Sequence, residues 1–283
     1  MFGRLDHRGT IPPALSDPSG RSVHLHCAAV ADGLVHVRTD GAVRVLTLDS
    51  PHNRNALSSQ LLDELAQGLH DATGDAGIRA IVITATGPVF CSGADLSDRA
   101  APATSQLPEI LTLIRASHVP VIARVNGHAR AGGIGIVAAS DFAVAPRSAT
   151  FAFSEVRIGV APAMIMVPAG RVMGHRAMAH LMLTGEKFGA DEAAQVGLLT
   201  AVAPDGAALD AWVQHNCDSI LRSAPGAIAA TKALLAELSG LPWVDALSAA
   251  QRRSAELFAG AEAAEGIDAF MSKRLPVWDV TGP

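Results

Sequence analysis

The sequence predicts an α/β fold that ends in a purely helical layer, and three observations carry that prediction. Short apolar strands alternate with helical spacing and Gly-rich loops between about residues 33 and 206. Strand, loop, helix, strand at short intervals is the grammar of a sheet covered by helices. From residue 207 onward the strand signals stop and amphipathic helical patterns remain. In addition, 49% of the 283 residues are hydrophobic and 17% are charged, enough apolar surface for one large core or two modest ones.

Residues 1–32 mix Gly, Pro, Ser and isolated charges without a sustained period, and are expected to form a flexible extension. Val35, Val37 and Thr39 alternate before Asp40-Gly41, and Val43, Val45 and Thr47 alternate after it. An Asp-Gly pair between two such runs predicts a hairpin. From Ser58 the apolar residues Leu61, Leu62, Leu65 and Leu69 recur at three and four, which predicts a helix stopped by Gly74. AIVITA (80–85) is apolar almost throughout, as in a strand covered on both faces. The same order then repeats. GPVFCSGADL (87–96) is a Gly-rich loop, Pro108 to Ser117 has helical spacing, and VPVIARV (119–125) is a strand. ARAGGIGIVAAS (129–140) is a second Gly-rich loop that runs into an apolar helix, followed by the strand FAVA (142–145). Beyond Gly206, DAWVQHNCDSILRSA, GAIAATKALLAEL and VDALSAAQRRSAELFAG are amphipathic helices. The expected division is therefore an extension (1–32), an α/β core (33–206) and a helical region (207–283) that serves oligomerisation. A mean hydropathy of +0.28 also points to burial between subunits.

Composition excludes several classes. With 27 acidic and 22 basic residues the formal charge is -5, so no basic footprint for nucleic acid is present. The 3 cysteines, at 27, 91 and 217, form no CxxC pair, which excludes a disulfide scaffold or a structural zinc as the organising feature. His24 and His26 are too few for a metal site, and no metal is expected. No apolar stretch approaches the ~18 residues of a membrane span. The first residues lack the apolar core of a secretion signal, so a cytoplasmic location is expected. No GxSxG elbow, HExxH pair or Walker A loop occurs. Gly133-x-Gly135-x-x-Ala138 satisfies the dinucleotide fingerprint formally, but the strand FAVA intervenes before Glu155, where the acid should end the very next strand. Nicotinamide binding is not expected.

Chemistry concentrates in the two Gly-rich loops, FCSGADL and NGHARAGGIG. Each precedes a helix, where exposed N–H groups carry partial positive charge and attract a negative oxygen. Two such groups converging from separate loops would make an oxyanion hole, in which losing one donor can cost about 3–4 kcal/mol. Glycine suits such loops because a side chain would block approach of the backbone.

Longer stretches carry a resemblance. VRVLTLDSPHNRNALSSQLLDEL (43–65), FCSGADL (90–96), PVIARVNGHARAGGIGIVAASDFAVA (120–145), ATFAFSEVRIGVAP (149–162), LTGEKFGADEAAQVGLLTAV (183–202) and AEGIDAFMSKRLPVW (264–278) follow the order of the crotonase (enoyl-CoA hydratase/isomerase) family, which the chain resembles. The resemblance implies a spiral of ββα units with a helical C-terminal layer, assembled as a trimer or a dimer of trimers. It implies an acyl-CoA thioester as substrate and no resident cofactor. The thioester oxygen would be held by the N–H groups of Ala94 and Gly132. Glu155 matches the family's second catalytic glutamate. Its neighbours Phe151, Phe153, Val156 and Ile158 are apolar, surroundings that raise a carboxyl pKa. By the same resemblance Arg54, Ala56, Asp95, Leu96, Phe270 and Lys273 would contact CoA.

The family's first catalytic glutamate is absent: Gly135 stands at its position. A small residue there is expected to leave room for a bulkier acyl group. Together with GxxP (159–162), it resembles the branch that hydrates glutaconyl-type and branched enoyl-CoAs. The expected reaction is hydration of an enoyl-CoA with Glu155 as acid and base. The alternative is Δ3,Δ2-enoyl-CoA isomerisation, in which one carboxylate shuttles one proton. A non-catalytic acyl-CoA-binding role ranks third. A dehalogenase-type nucleophile would fall near Ala163, which carries no carboxylate. Arg130 is read as a solvated loop cation, His128 as structural, Glu109 as a residue of a helix surface and Cys91 as small packing.

Overall fold

A computed structural model describes residues 33–97 and 106–279. The extension expected at 1–32, with His24, His26 and Cys27, lies outside the described residues, so nothing here bears on it.

The hairpin forms as the sequence predicts. β1 (Val35–Asp40) runs antiparallel to β2 (Val43–Leu48), with Asp40 opposite Val43 and Gly41 at φ 56° in the turn. The helix α1 (Ser59–Gly74) is capped by Ser58, whose side chain accepts the Leu61 N–H, and it buries Leu61, Leu62, Leu65 and Leu69. β3 (Ala80–Ala85) is buried along its whole length. β4 (Val89–Cys91), α2 (Leu107–Ala116), β5 (Val121–Arg124), β6 (His128–Arg130), α3 (Gly132–Ala139), β7 (Phe142–Pro146) and β8 (Thr150–Ala152) follow. A 3-10 turn, Ser154–Ile158, leads to α4 (Ala163–Val172), α5 (His175–Thr184), β9 (Phe188–Gly189), α6 (Ala190–Gln195) and β10 (Ala201–Ala203). The C-terminal part is α7 (Gly206–Leu221), α8 (Pro225–Glu237), α9 (Trp243–Phe258) and α10 (Ala261–Met271).

The strands make two sheets. The large one has the order β1-β2-β3-β5-β7-β10, and the small one β4-β6-β8-β9. Apart from the edge strands β1 and β9, which pair antiparallel, all pairings are parallel. The chain lays one strand in the large sheet, the next in the small sheet, then a helix, and begins again: β3-β4-α2, β5-β6-α3, β7-β8-α4. This is the ββα spiral. The sequence hid its second sheet, because β4, β6 and β8 are three residues each, too short to show a period, and β4 and β6 lie inside stretches that read as Gly-rich loops.

One core lies between the sheets and helices α1 to α5, with Leu46, Leu48, Ile81, Ile83, Phe90, Ile134 and Phe151 in it. A second lies under α7, where Val45, Val82, Ile122 and Val144 meet Leu209, Val213 and Cys217. β3 contributes to both, which is why its sequence is apolar on both faces. Each such side chain contributes about 1.5–3 kcal/mol on burial.

The tail is held differently. Lys232 on α8 donates to Asp141 Oδ2 at 2.6 Å and to the carbonyls of Ile114 and Val119 at 3.0 and 3.1 Å. Glu262 on α10 accepts the N–H groups of Gly226 and Ala227 at the start of α8. Arg79 donates to the carbonyls of Ser223 and Trp278. The predicted helices are present, but α9 buries no residue, and Trp243, Val244, Leu247, Phe258, Ile267 and Phe270 are exposed. Polar clamps fix the tail, and these apolar side chains are uncovered among the described residues.

Candidate active site

The spiral brings the two Gly-rich loops into contact. Gly93 has φ 98°, and a Cβ built on it would lie 2.8 Å from the Cβ of Ala131. Leu57 makes a one-residue parallel bridge with Ala94. It donates its N–H to the Gly93 carbonyl at 2.8 Å and accepts the Asp95 N–H at 3.3 Å. That pairing turns the N–H of Ala94 away from Leu57, and Ala94 is exposed. Across the contact, Gly132 is the first residue of α3, so its N–H has no acceptor within the helix. The later amides of that turn are committed, Ile134 and Gly135 both donating to the Ala131 carbonyl. A Cβ on Gly132 would come within 2.6 Å of Leu57 Cδ1 and 3.2 Å of Leu107 Cδ2. Leu57 thus touches both loops, and a side chain at 132 would have to displace the Leu57 methyl.

Ala131 precedes Gly132 with φ 46° and ψ -122°, a conformation that side chains rarely adopt. Its N–H donates to the Ala152 carbonyl at 3.2 Å, which fixes the start of α3 against the end of β8. Glu155 follows three residues after Ala152, in the 3-10 turn. The turn is anchored by the fully buried Phe153, which stacks on Phe188 at 6.0 Å, and is closed by Gly159 at φ 81°. Glu155 is half-buried, and its Oε2 is buried without a hydrogen-bond partner among the described residues. Burial pushes its carboxyl pKa up from the ordinary value, against a smaller opposing backbone hydrogen bond. A carboxyl held in that way keeps its proton to a higher pH than a free one.

Gly135 requires a correction. The sequence suggested open space there, but a Cβ on Gly135 would stand 2.7 Å from Ile165 Cγ2 and 3.5 Å from Leu111 Cδ2. The position is filled by a buried isoleucine from α4 and a leucine from α2, so the glycine makes a close helix contact rather than room for a bulkier acyl group.

Arg54, Ala56, Asp95 and Leu96 lie on the segments that the Leu57–Ala94 bridge joins. Arg54 is exposed at φ 60°, Ala56 is buried and Leu96 is exposed. Asp95 accepts from Asn53 Nδ2 at 3.0 Å and from the Ser97 N–H at 3.0 Å. Phe270 is 82% exposed, and Lys273 lies just past the end of α10 at φ 54°.

Other residues fall into place. Glu109 is exposed, 3.6 Å from His70. His128 Nδ1 contacts the Thr150 hydroxyl at 3.0 Å, and burial, then Arg130 and Lys187, push its pKa down. Arg130 is not a solvated loop cation: it lies on β6, is partly buried, and donates to Thr150 Oγ1 at 2.8 Å. With Ser154, Arg157 and Lys187 it lines a cleft of about 580 Å³. Ala163, exposed, begins α4. Sequence reasoning missed Asn55, Leu57, Ala131 and Ile165. Asn55 is buried, accepts the Ser50 N–H and donates to the carbonyls of Thr86 and Val89, bracing the Arg54 segment against β4. Its signal is a buried amide at a φ of 55°. Among the described residues no group of three His, Cys, Asp or Glu could hold a metal ion, and no helix is long and apolar enough to cross a membrane.

The family model described as enoyl-CoA hydratase/isomerase matches residues 38–281. The enoyl-CoA hydratase domain-containing protein 3 of Danio rerio is 33% identical over 262 residues, covering 89% of each chain. The 2,3-dehydroadipyl-CoA hydratase of Escherichia coli is 32% identical over 245 residues, 83% of this chain and 94% of that one. The crystal structure of an enoyl-CoA hydratase from Mycobacterium smegmatis superposes with a TM-score of 0.82 at 33% identity, over 87% of this chain and 99% of that one.

Proposed function

Since the chain belongs to the enoyl-CoA hydratase/isomerase family, we propose that it adds water across the double bond of a 2-enoyl-CoA thioester. The observation that carries this reading is Glu155: a half-buried carboxyl whose Oε2 has no hydrogen-bond partner among the described residues, three residues past the strand end that hydrogen-bonds the residue before Gly132. The Ala94 and Gly132 amides hold the thioester oxygen as it gains enolate charge. Fixed donors aimed at developing charge are worth several kcal/mol in a site sheltered from water. Glu155 deprotonates the incoming water and returns the proton to the α-carbon in a syn addition. A positioned acid/base contributes about 10²–10⁴-fold. The E. coli relative named for 2,3-dehydroadipyl-CoA supports hydration as the reaction class.

Arg54, Ala56, Asp95 and Leu96 are assigned to the CoA side of the Ala94 loop. Phe270 and Lys273 are assigned to the same ligand across a subunit contact of a trimer, in which the exposed apolar tail is covered. A second reading is Δ3,Δ2-enoyl-CoA isomerisation. It is favoured by Gly135, whose space Ile165 fills, because a single carboxylate suffices to move one proton between two carbons.

One experiment separates these readings. The protein is incubated with a 2-enoyl-CoA and, separately, with a 3-enoyl-CoA. Loss of the conjugated-thioester absorbance reports hydration, and its appearance reports isomerisation. If Glu155→Gln left turnover unchanged on every thioester tested, the catalytic assignment would fall.

A further inference from the structure

Cys91 is the last residue of β4, fully buried, and the chemistry above makes no use of it. Its sulfur faces both Gly-rich loops. The Gly93 N–H donates to Sγ at 3.4 Å. From the other side, a Cβ on Gly133 would lie 2.6 Å from Cys91 Cβ and 3.0 Å from Sγ, so the second residue of α3 rests directly on this side chain. Gly93 immediately precedes Ala94, and Gly133 immediately follows Gly132. Each proposed oxyanion donor is therefore one peptide away from a residue that meets the Cys91 side chain, Gly93 through a hydrogen bond and Gly133 through close packing.

We propose that Cys91 is a positioning residue for the oxyanion hole: its sulfur clasps the Gly93 and Gly133 backbones and so fixes the spacing of the Ala94 and Gly132 N–H groups. The inference rests on the assignment of those two amides to the thioester oxygen. Sulfur suits the task. It is a weak acceptor with a long bond to Cβ, so it meets two backbones without drawing either out of line. Burial pushes the thiol up to about 12, so it stays protonated and serves as neither nucleophile nor charge. Gly93 and Gly133 are required on the loop side, since a side chain at either would meet Ala131 or Cys91.

The test compares Cys91→Ala, which removes the acceptor, with Cys91→Ser, which keeps one at nearly the same place. Three quantities are read: kcat and KM on a 2-enoyl-CoA, Tm, and amide hydrogen exchange in peptides spanning 91–96 and 131–136. The alanine variant is expected to lose at least tenfold in kcat with KM within about twofold, and to exchange faster in both peptides. Serine is expected to recover most of the kcat and the protection. Equal losses in both variants would reduce Cys91 to a filler of volume and overturn the proposal, as would wild-type kcat and exchange in Cys91→Ala. The exchange readout needs no turnover, so a protein inactive on every enoyl-CoA would sink the functional reading while the clasp was still judged.

Discussion

Placing a carboxylate at position 135 should damage the protein rather than complete a second catalytic group. The Cβ of Gly135→Glu would start 2.7 Å from Ile165 Cγ2 and 3.4 Å from Ile165 Cβ. Carbon atoms in contact sit about 3.5–4.0 Å apart, so the overlap approaches ~1 Å before any further atom of the side chain is placed. Overpacking of that kind costs about 1–3 kcal/mol. Removing a mid-helix glycine returns up to ~1 kcal/mol. The carboxylate then lies among Ile165 and Leu111, and an unpaired polar group in such surroundings costs about 1–3 kcal/mol or more. The net expectation is a loss of about 2–4 kcal/mol, a Tm drop of roughly 5 °C or more in a chain of this size. The assay is a double-mutant cycle with Ile165→Ala, read by Tm and by hydration rate. Ile165→Ala alone should cost about 2–5 kcal/mol through its cavity. The double variant should be more stable than the sum of the two by about 1–3 kcal/mol, because each change relieves the other. Gly135→Glu with wild-type Tm, or a strictly additive cycle, would refute the claim that Ile165 occupies this space.

Three further outcomes follow from the same geometry. Glu155→Gln should lower kcat by about 10²-fold or more, yet raise Tm at neutral pH. The folded carboxyl pKa is raised above 4.5, so the destabilisation it causes grows as pH rises past 4.5 and is complete above that raised value. The stability gain of the variant should therefore shrink as pH falls and vanish below about 4.5, where both states of the wild type are protonated; a gain that persisted there would rule this origin out. Lys232→Met should destabilise by about 1–2 kcal/mol, because the carbonyls of Ile114 and Val119 lose a charged donor while Asp141 stays exposed to water, with hydrogen exchange in α8 rising most; a Tm within one degree of wild type would contradict it. Ala131→Gly relieves a positive φ of 46° and should stabilise by up to ~1 kcal/mol after the glycine entropy cost, seen as a higher denaturant midpoint; a lower midpoint would show that the Ala131 methyl is a needed contact with Gly93.

How much of the fold was legible depended on element length. α1 announces itself through Leu61, Leu62, Leu65 and Leu69, four apolar residues on one stripe with a serine cap and a glycine stop. β3 announces itself because both faces are buried against different layers. The small sheet announces nothing. A strand of three residues such as β6 shows one buried residue, Ala129, between two partly exposed ones, and no pattern can be read from a single alternation. The tail was legible as helices but not as a layer. Amphipathicity says that an apolar stripe exists, not which surface covers it, and α9 covers none of its own.

The site was legible to the extent that its chemistry resides in the backbone or in a type of side chain. Glycines at 132 and 133 and the Gly-Ala-Asp at 93–95 mark loops where amides must come close, and a glutamate among phenylalanines marks a carboxyl with a raised pKa. The parts that hold these groups in register were invisible. Leu57 and Cys91 look like ordinary core residues, and their role appears only when the bridge to Ala94 and the contacts of Gly132 and Gly133 are seen. Gly135 is the sharper case. A glycine in sequence says that a side chain is missing, and it is silent on whether a ligand, water or another helix fills the space. Here the absence of a Cβ lets α4 approach α3, with Ile165 seated where a side chain from 135 would begin. A carboxylate at position 135 is therefore not reached by a single substitution. The position is coupled to an isoleucine 30 residues away in the chain, and a sequence that carries an acid there must shrink that isoleucine as well.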